Sequence, residues 1–452
     1  MVSKRDAAEA PAGPRLEPAS RTEETEVGSY FIANYPPFSF WSDSHLLAVE
    51  EALSHAPHPD VPLGLYLHIP FCRKRCKFCY FRVYTEKNAR EVEAYVSALA
   101  DEVALYSRYP AFSERPLRFV YFGGGTPSFL STRQLLALVD KLRGAVDWDG
   151  AEEVTFECEP GTLSRSKVEA LKEIGVTRLS LGVENFDDAI LRENGRAHES
   201  AEIYDAYGWI QDSGFPNLNI DLIAGMVGET QENWEACIRK TIELSPDSVT
   251  IYQMELPYNT VYSREIMIEG RLVPVADWAQ KREWVKQAFE ELERAGYRIS
   301  SGYTLVKRDA PSRFSYRDSL WHGADMVGAG VSSFSFLAGV HFQNLDRIED
   351  YVAAVEKGDL PLKRALRVGD KELLIRELIL QMKLGSLDLQ YFRKKFHRDV
   401  MKEFRPVFES LKSKGYLEWQ GDRVVLSRAG LLRVDRLLPG FFLPEHQGAR
   451  YT

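Results

Sequence analysis

The chain alternates two hydrophobic periods along most of its length. Short β-rich runs, Arg118 to Phe122, Val154 to Cys158, Arg178 to Gly182, Asn217 to Leu222 and Ser248 to Gln253, read as strands. Between them, Val92 to Tyr106, Thr132 to Val146, Ser164 to Ile174, Ser200 to Ser213 and Gln231 to Leu244 read as helices, several closed by glycine. Repeated β-α units demand a parallel sheet with right-handed crossovers, hence a full or partial barrel. An earlier strand, Leu65 to Ile69, ends at Pro70, and Cys72, Cys76 and Cys79 follow at once. Three thiols therefore stand at the carboxyl end of a strand, where α/β folds place their chemistry.

The flanks read differently. Residues 1–28 are polar and lack the apolar core of a signal peptide, so they read as a disordered leader. Residues 29–62 follow as an N-terminal strap: Tyr30 to Trp41 is too rich in proline and aromatics for a helix and is expected to cross the outside of the barrel rather than wall its mouth. The barrel spans 63–276. An extension over 277–363 adds a helix, Lys281 to Gly296, and a glycine-rich strand region, Val327 to Ser333. Residues 364–452 form the last unit, with helices over Lys371 to Leu384, Leu389 to Phe396 and Phe404 to Gly415 and a hairpin turning at Gly421-Asp422. Helices followed by a two-stranded wing suggest a winged-helix-like cap.

A net charge of -9 argues against nucleic acid as the partner of that cap. No apolar run approaches the roughly 20 residues that span a bilayer. Three clustered thiols imply a reducing compartment, so a cytoplasmic protein is expected.

Three soft thiolates this close together suit an iron-sulfur cluster or zinc. A closed zinc site wants a fourth ligand, and none follows at short spacing, although His68 precedes Cys72. A cubane on three cysteines keeps one iron open for substrate or cofactor. Reduced thiols without metal are the third reading.

The C-x3-C-x2-C spacing, the aromatic Phe78 before the last cysteine and the later Gly123-Gly124-Gly125-Thr126-Pro127-Ser128 resemble the radical SAM superfamily. Within it, the wider phrase from Tyr66 to Cys79 is similar to the HemN-like branch of oxygen-independent coproporphyrinogen oxidases, haem chaperones and class C methyltransferases. The resemblance implies an α/β fold: a partial (βα)6 TIM-like barrel whose mouth is covered by a HemN-type cap. It implies a [4Fe-4S] cluster on Cys72, Cys76 and Cys79, with S-adenosylmethionine (SAM) chelated by the open iron and seated by Tyr66, Gly124, Gly125, Thr126 and Glu157. A second SAM would use Glu184, where the family usually has glutamine, with Arg196 and Asp221.

Two departures accompany the resemblance. Tyr80-Phe81 stands where coproporphyrinogen oxidase has Gly-Cys, and Tyr316 to Trp321 lacks the His-Asn pair of the chaperones' haem motif. Methyl or methylene transfer to an sp2 carbon of a conjugated or tetrapyrrole-like substrate is the expected reaction. Radical decarboxylation of coproporphyrinogen and haem carriage are its rivals. Arg73-Lys74-Arg75 would attract a flavodoxin or ferredoxin donor. Tyr303, with Tyr252 and Glu255, is placed at the mouth as a candidate proton donor or acceptor.

Overall fold

Six strands realise the repeated unit: β1 (Leu63–Ile69), β2 (Leu117–Gly124), β3 (Glu153–Cys158), β4 (Arg178–Glu184), β5 (Asn217–Ala224) and β6 (Ser248–Gln253). In the computed structural model, which describes residues 24–271, 273–310 and 314–449, they pair in parallel and in chain order. Helices such as Ala89–Tyr106, Thr132–Arg143 and Gln231–Leu244 cover the outside. Each of these starts on a side-chain cap: Asn88, Ser131 and Thr230 accept from the first-turn amides. Apolar residues on both faces of β1 are buried, as a strand covered on two sides requires.

The extension divides between the two edges of the sheet. Strands β7 (Tyr297–Ile299) and β8 (Thr304–Lys307) add antiparallel beyond β6. At the other edge, β9 (Asp325–Ala329) pairs parallel with β1, and β10 (Phe334–Leu337), β11 (Val340–Asn344) and β12 (Leu362–Arg367) continue antiparallel. The expected boundary at 363/364 therefore falls inside a strand, and the glycine-rich run is β9 plus a turn, with Gly330 at φ 107. No local pattern announces such a split, because both edges offer equivalent unpaired backbone.

Past β12 lie helices Asp370–Met382, Leu389–Phe396 and Arg405–Ser413, then β14 (Leu417–Gln420) and β15 (Arg423–Leu426), with β13 (Ser386–Asp388) completing a three-stranded wing. This C-terminal unit reaches the barrel through Gln253 Nε2, which donates to Leu432 O at 3.0 Å, and Gly302 N, which donates to Lys383 O at 2.8 Å.

Two expectations for the N-terminal flank are corrected. Residues 1–23 lie outside the described residues, but 24–28 are ordered at the barrel: Thr25 Oγ1 donates to Ala276 O at 2.8 Å and Gly28 N to Leu256 O at 2.7 Å. Only part of the aromatic stretch crosses the outside, where Phe38 stacks on Phe334 and Trp41 on His341. Residues 31–34 run on the mouth side: Phe31 stands 6.4 Å from Tyr80, and Ile32 N donates to Asp435 at 3.0 Å. These residues satisfy their backbone groups on the C-terminal unit, a long-range choice that composition does not encode.

One buried carboxylate ties the β9 turn to the barrel. Glu102, fully buried, accepts from Gly330 N at 2.7 Å and Tyr351 OH at 2.6 Å through Oε2, and from Asn344 Nδ2 at 2.6 Å through Oε1. Glu102→Ala strands three buried donors and is expected to lower unfolding free energy by about 3 kcal/mol or more. Urea titration of this variant against Asp101→Ala, a half-exposed neighbour whose carboxylate pairs with Lys141 at the surface, measures it; coincident midpoints contradict the role.

Candidate active site

Three thiols gather at the carboxyl end of β1 because the chain after Pro70 is clasped from several sides. Cys72 N donates to Tyr84 O at 3.1 Å and Tyr84 N returns to Pro70 O at 2.9 Å, while Lys77 N reaches Asn194 O at 3.0 Å. Cys72 is buried, and Cys76 and Cys79 are half-buried. Burial pushes the Cys72 thiol up to about 11 and the Cys79 thiol to about 12, so a metal must displace those protons for thiolates to form.

The surroundings fit a sulfur-ligated cluster. Thr126 Oγ1 donates to Cys72 Sγ at 3.4 Å, and Arg196 Nη1 to Cys76 Sγ at 3.3 Å. A Cβ on Gly125 would stand 3.0 Å from Cys72 Sγ and 2.8 Å from the Pro70 carbonyl carbon, so glycine keeps that space open. Hydrogen bonds to ligand sulfurs are among the levers that tune such a centre. Among the described residues no three His, Cys, Asp or Glu side chains converge as ligands to a single ion would; thiolates on separate irons of a cubane need not.

The β2 turn links the cysteine loop to the barrel interior. Gly124 has φ 117, and a Cβ there would also meet the His68 ring at 2.6 Å, so both backbone and space demand glycine. Its N–H donates to Glu157 Oε2 at 3.1 Å, and Tyr121 OH donates to Glu157 Oε1 at 2.6 Å. Tyr66 stacks on Tyr121 at 5.8 Å, and its hydroxyl lies 3.2 Å from His68 Nδ1. Burial lowers His68 to about 4, so the imidazole is neutral near pH 7.

Glu157, Glu184 and Asp221 meet inside the barrel. Asp221 accepts from Ser180 Oγ at 2.6 Å and Asn219 Nδ2 at 2.9 Å. Strand β4 bulges between Gly182 and Glu184, and Glu184 takes left-handed backbone at φ 64. Its carboxylate sits 3.7 Å from Arg196 Nη1, whose Nη2 donates to Gly182 O at 2.7 Å. Arg196 thus touches both Cys76 and the Glu184 carboxylate. Burial raises Glu157 and Glu184 each to about 7 and raises Asp221 as well, and each also feels charge from another of the three or from Arg196.

Alternation around Cys158 places Glu157 and Glu159 on one face, yet Glu159, just past the end of β3, takes partners of its own. It accepts from Arg73 Nε at 3.1 Å and lies 2.9 Å from His198 Nδ1. Burial alone would raise it, but the His198 hydrogen bond and the charges of Arg196 and Arg73 win and hold it at about 2. Arg73 is thereby committed to the loop's own frame rather than left as solvated charge.

At the mouth, Tyr252 stacks on Tyr303 at 6.2 Å and keeps 41% of its surface open although protein surrounds it, so it borders the hollow. The Tyr303 hydroxyl hydrogen-bonds Asp435 of the C-terminal unit, and Lys383 Nζ pairs with the same carboxylate at 2.8 Å. Glu255 is half-buried, and desolvation raises it to about 8. Tyr121, Lys383, Asp435 and Tyr316, whose ring lies 4.2 Å from Tyr121, escaped sequence reasoning. The inward position of Tyr121 follows from strand alternation with Gly123, the one signal that could have found it.

With this geometry in place, three comparisons bear on identity. The Radical SAM superfamily profile matches residues 66–241. The haem chaperone HemW of Lactococcus lactis subsp. lactis is 30% identical over 65% of this chain and 74% of its own, and the oxygen-independent coproporphyrinogen III oxidase of a Synechocystis strain is 24% identical over 87% of each. The structure of the coproporphyrinogen III oxidase HemN of Escherichia coli, a radical SAM enzyme, superposes with a TM-score of 0.78 at 23% identity, covering 91% of this chain and 96% of HemN, and shares the fold. Neither kind of named relative is a methyltransferase, so the expected methyl transfer gives way to its rivals. A cysteine triad, a glycine turn and a coproporphyrinogen-oxidase-like architecture thus agree: the chain belongs to the radical SAM superfamily, in its HemN-like branch.

Proposed function

We propose that this chain performs radical decarboxylation on a tetrapyrrole-like substrate, in the manner implied by its resemblance to coproporphyrinogen oxidases. When bound at Cys72, Cys76 and Cys79, a reduced [4Fe-4S] cluster with SAM supplies a 5'-deoxyadenosyl radical. The observation that carries the reading is one connected site: Thr126, Gly124 and Arg196 join the cysteine loop and the glycine turn to the half-buried carboxylates of Glu157 and Glu184.

The chain's own residues then have separable tasks. Thr126 and Arg196 donate to sulfur, which favours the electron-rich state. Gly124, with its positive φ, lets a ligand approach backbone closely, and Glu157, held by Tyr121, offers its carboxylate to hydroxyl or ammonium donors. Arg196 holds Glu184 at the far side, where a second SAM would lie. Tyr303, Asp435 and Lys383 keep the C-terminal unit on the mouth and help exclude water.

Anaerobic incubation of reconstituted protein with reductant, SAM and coproporphyrinogen III is expected to release 5'-deoxyadenosine and carbon dioxide without S-adenosylhomocysteine. S-Adenosylhomocysteine as product would restore methyl transfer, and haem uptake without either nucleoside would favour carriage. Cys76→Ser is expected to lose the cluster's iron and sulfide and all SAM cleavage, measured by iron analysis and chromatography.

Glu157→Gln removes a charged acceptor and is expected to weaken SAM binding by about tenfold. The same variant carries a pH signature in ligand-free protein. Because folding raises Glu157 from 4.5 to about 7, the folded state holds a proton that the unfolded chain releases. Its contribution is present below pH 4.5 and lost as pH rises through 7. The difference in unfolding free energy between wild type and Glu157→Gln should therefore shift against wild type across that window; parallel curves would refute the raised titration of Glu157.

A further inference from the structure

The barrel's floor, opposite the cysteine loop, holds a groove of about 520 Å³. Its walls come from the amino ends of strands: Pro62 precedes β1, Arg118 is the second residue of β2, and Glu152 precedes β3. Arg298 of β7, Ser300 and the short helix Ser315–Trp321 close the other side. The groove is separate from the SAM side, since its lining residues stand at the opposite ends of the same strands.

Its chemistry is that of guanidinium groups with donors to spare. Arg317 is only 6% exposed. Its Nε donates to Asp318 at 2.8 Å and its Nη2 to Ser300 Oγ at 2.8 Å, while Nη1 has no acceptor. Arg178, which is outside the groove's lining but packs on the same Phe314 ring as Arg317, is 1% exposed, with Nη2 on Ser248 and neither Nε nor Nη1 satisfied. Arg298 makes no ion pair among the described residues. The carboxylates nearby are already engaged: Glu152 with Arg118 at 2.7 Å, Asp318 with Arg317, and Glu153 with the amides of Ser315 and Tyr316.

Three buried guanidinium N–H groups without acceptors are costly and rare. Apolar packing explains an aromatic neighbour such as Phe314, 4.4 Å from Arg178, but supplies no acceptor. Water can satisfy a single donor; a fork beside a second buried arginine and an unpaired third one selects an oxyanion. We propose that this groove is an anion-binding site, in which Arg317 and Arg298 take the carboxylate or phosphate group of a small molecule.

The site also has a route to the barrel interior. Tyr316, adjacent to Arg317, packs on Tyr121, which holds Glu157. An anion on Arg317 therefore sits one residue from the side chain that frames the inner carboxylates.

The test uses full-length, cluster-reconstituted protein, with inorganic phosphate and succinate as probes in anaerobic calorimetry. At least one is expected to bind with a millimolar or tighter dissociation constant that weakens with salt. Arg298→Gln and Arg317→Lys should each weaken it about tenfold or more, whereas Arg405→Gln, on the C-terminal unit, should leave it unchanged. Arg298 is exposed, so its variant keeps the test available if Arg317→Lys fails to fold. Binding of phosphate alone assigns a phosphate ester, and of succinate alone a carboxylate. No binding of either at about 20 mM, or wild-type affinity in Arg298→Gln, overturns the proposal.

Discussion

One turn couples everything that makes this barrel reactive. Gly124, Gly125 and Thr126 follow β2 and touch both halves of the site: the Gly124 amide holds Glu157, the bare Cα of Gly125 leaves room for Cys72, and the Thr126 hydroxyl donates to the Cys72 sulfur. A side chain at either glycine would push against His68 or the cysteine loop. Sulfur ligands and inner carboxylates therefore keep a fixed relation because they share three residues of backbone. Few arrangements transmit position so directly between neighbouring strands.

The interior beyond that turn is electrostatically expensive. Three carboxyl groups face one hollow with Arg196 as their near cation, and burial raises all three. Such a cluster is poor architecture for stability and good architecture for recognising ammonium, sulfonium or hydroxyl groups. The left-handed Glu184 points the same way, since a bulge that re-aims one carboxylate toward an arginine is strain kept at a site.

Closure of the mouth draws on both ends of the chain. Thr25 and Gly28 hold their segment on the barrel through Ala276 O and Leu256 O, and Ile32 N donates to Asp435, which also binds Tyr303 and Lys383. Terminal segments with this role must pair their backbone with distant elements. That is why the aromatic stretch before Trp41 divides between a mouth-side run and an outer strap.

The local pattern determined the β-α repeat, the strand ends and the helices, because burial on one or two faces writes its period into neighbouring residues. The gathering of Cys72, Cys76 and Cys79 at the carboxyl end of β1 was legible from spacing, whereas Glu157 was singled out by family resemblance. Lys383 and Asp435 were not legible, nor was the division of β7 to β12 between two sheet edges, since each depends on partners distant in the sequence, as Ile32 is from Asp435 and β1 from β9. Tertiary structure alone decided that Glu159 turns to Arg73 and His198 while Glu157 turns inward. Alternation says which face a side chain takes, and only the packed neighbours say what charge awaits it there.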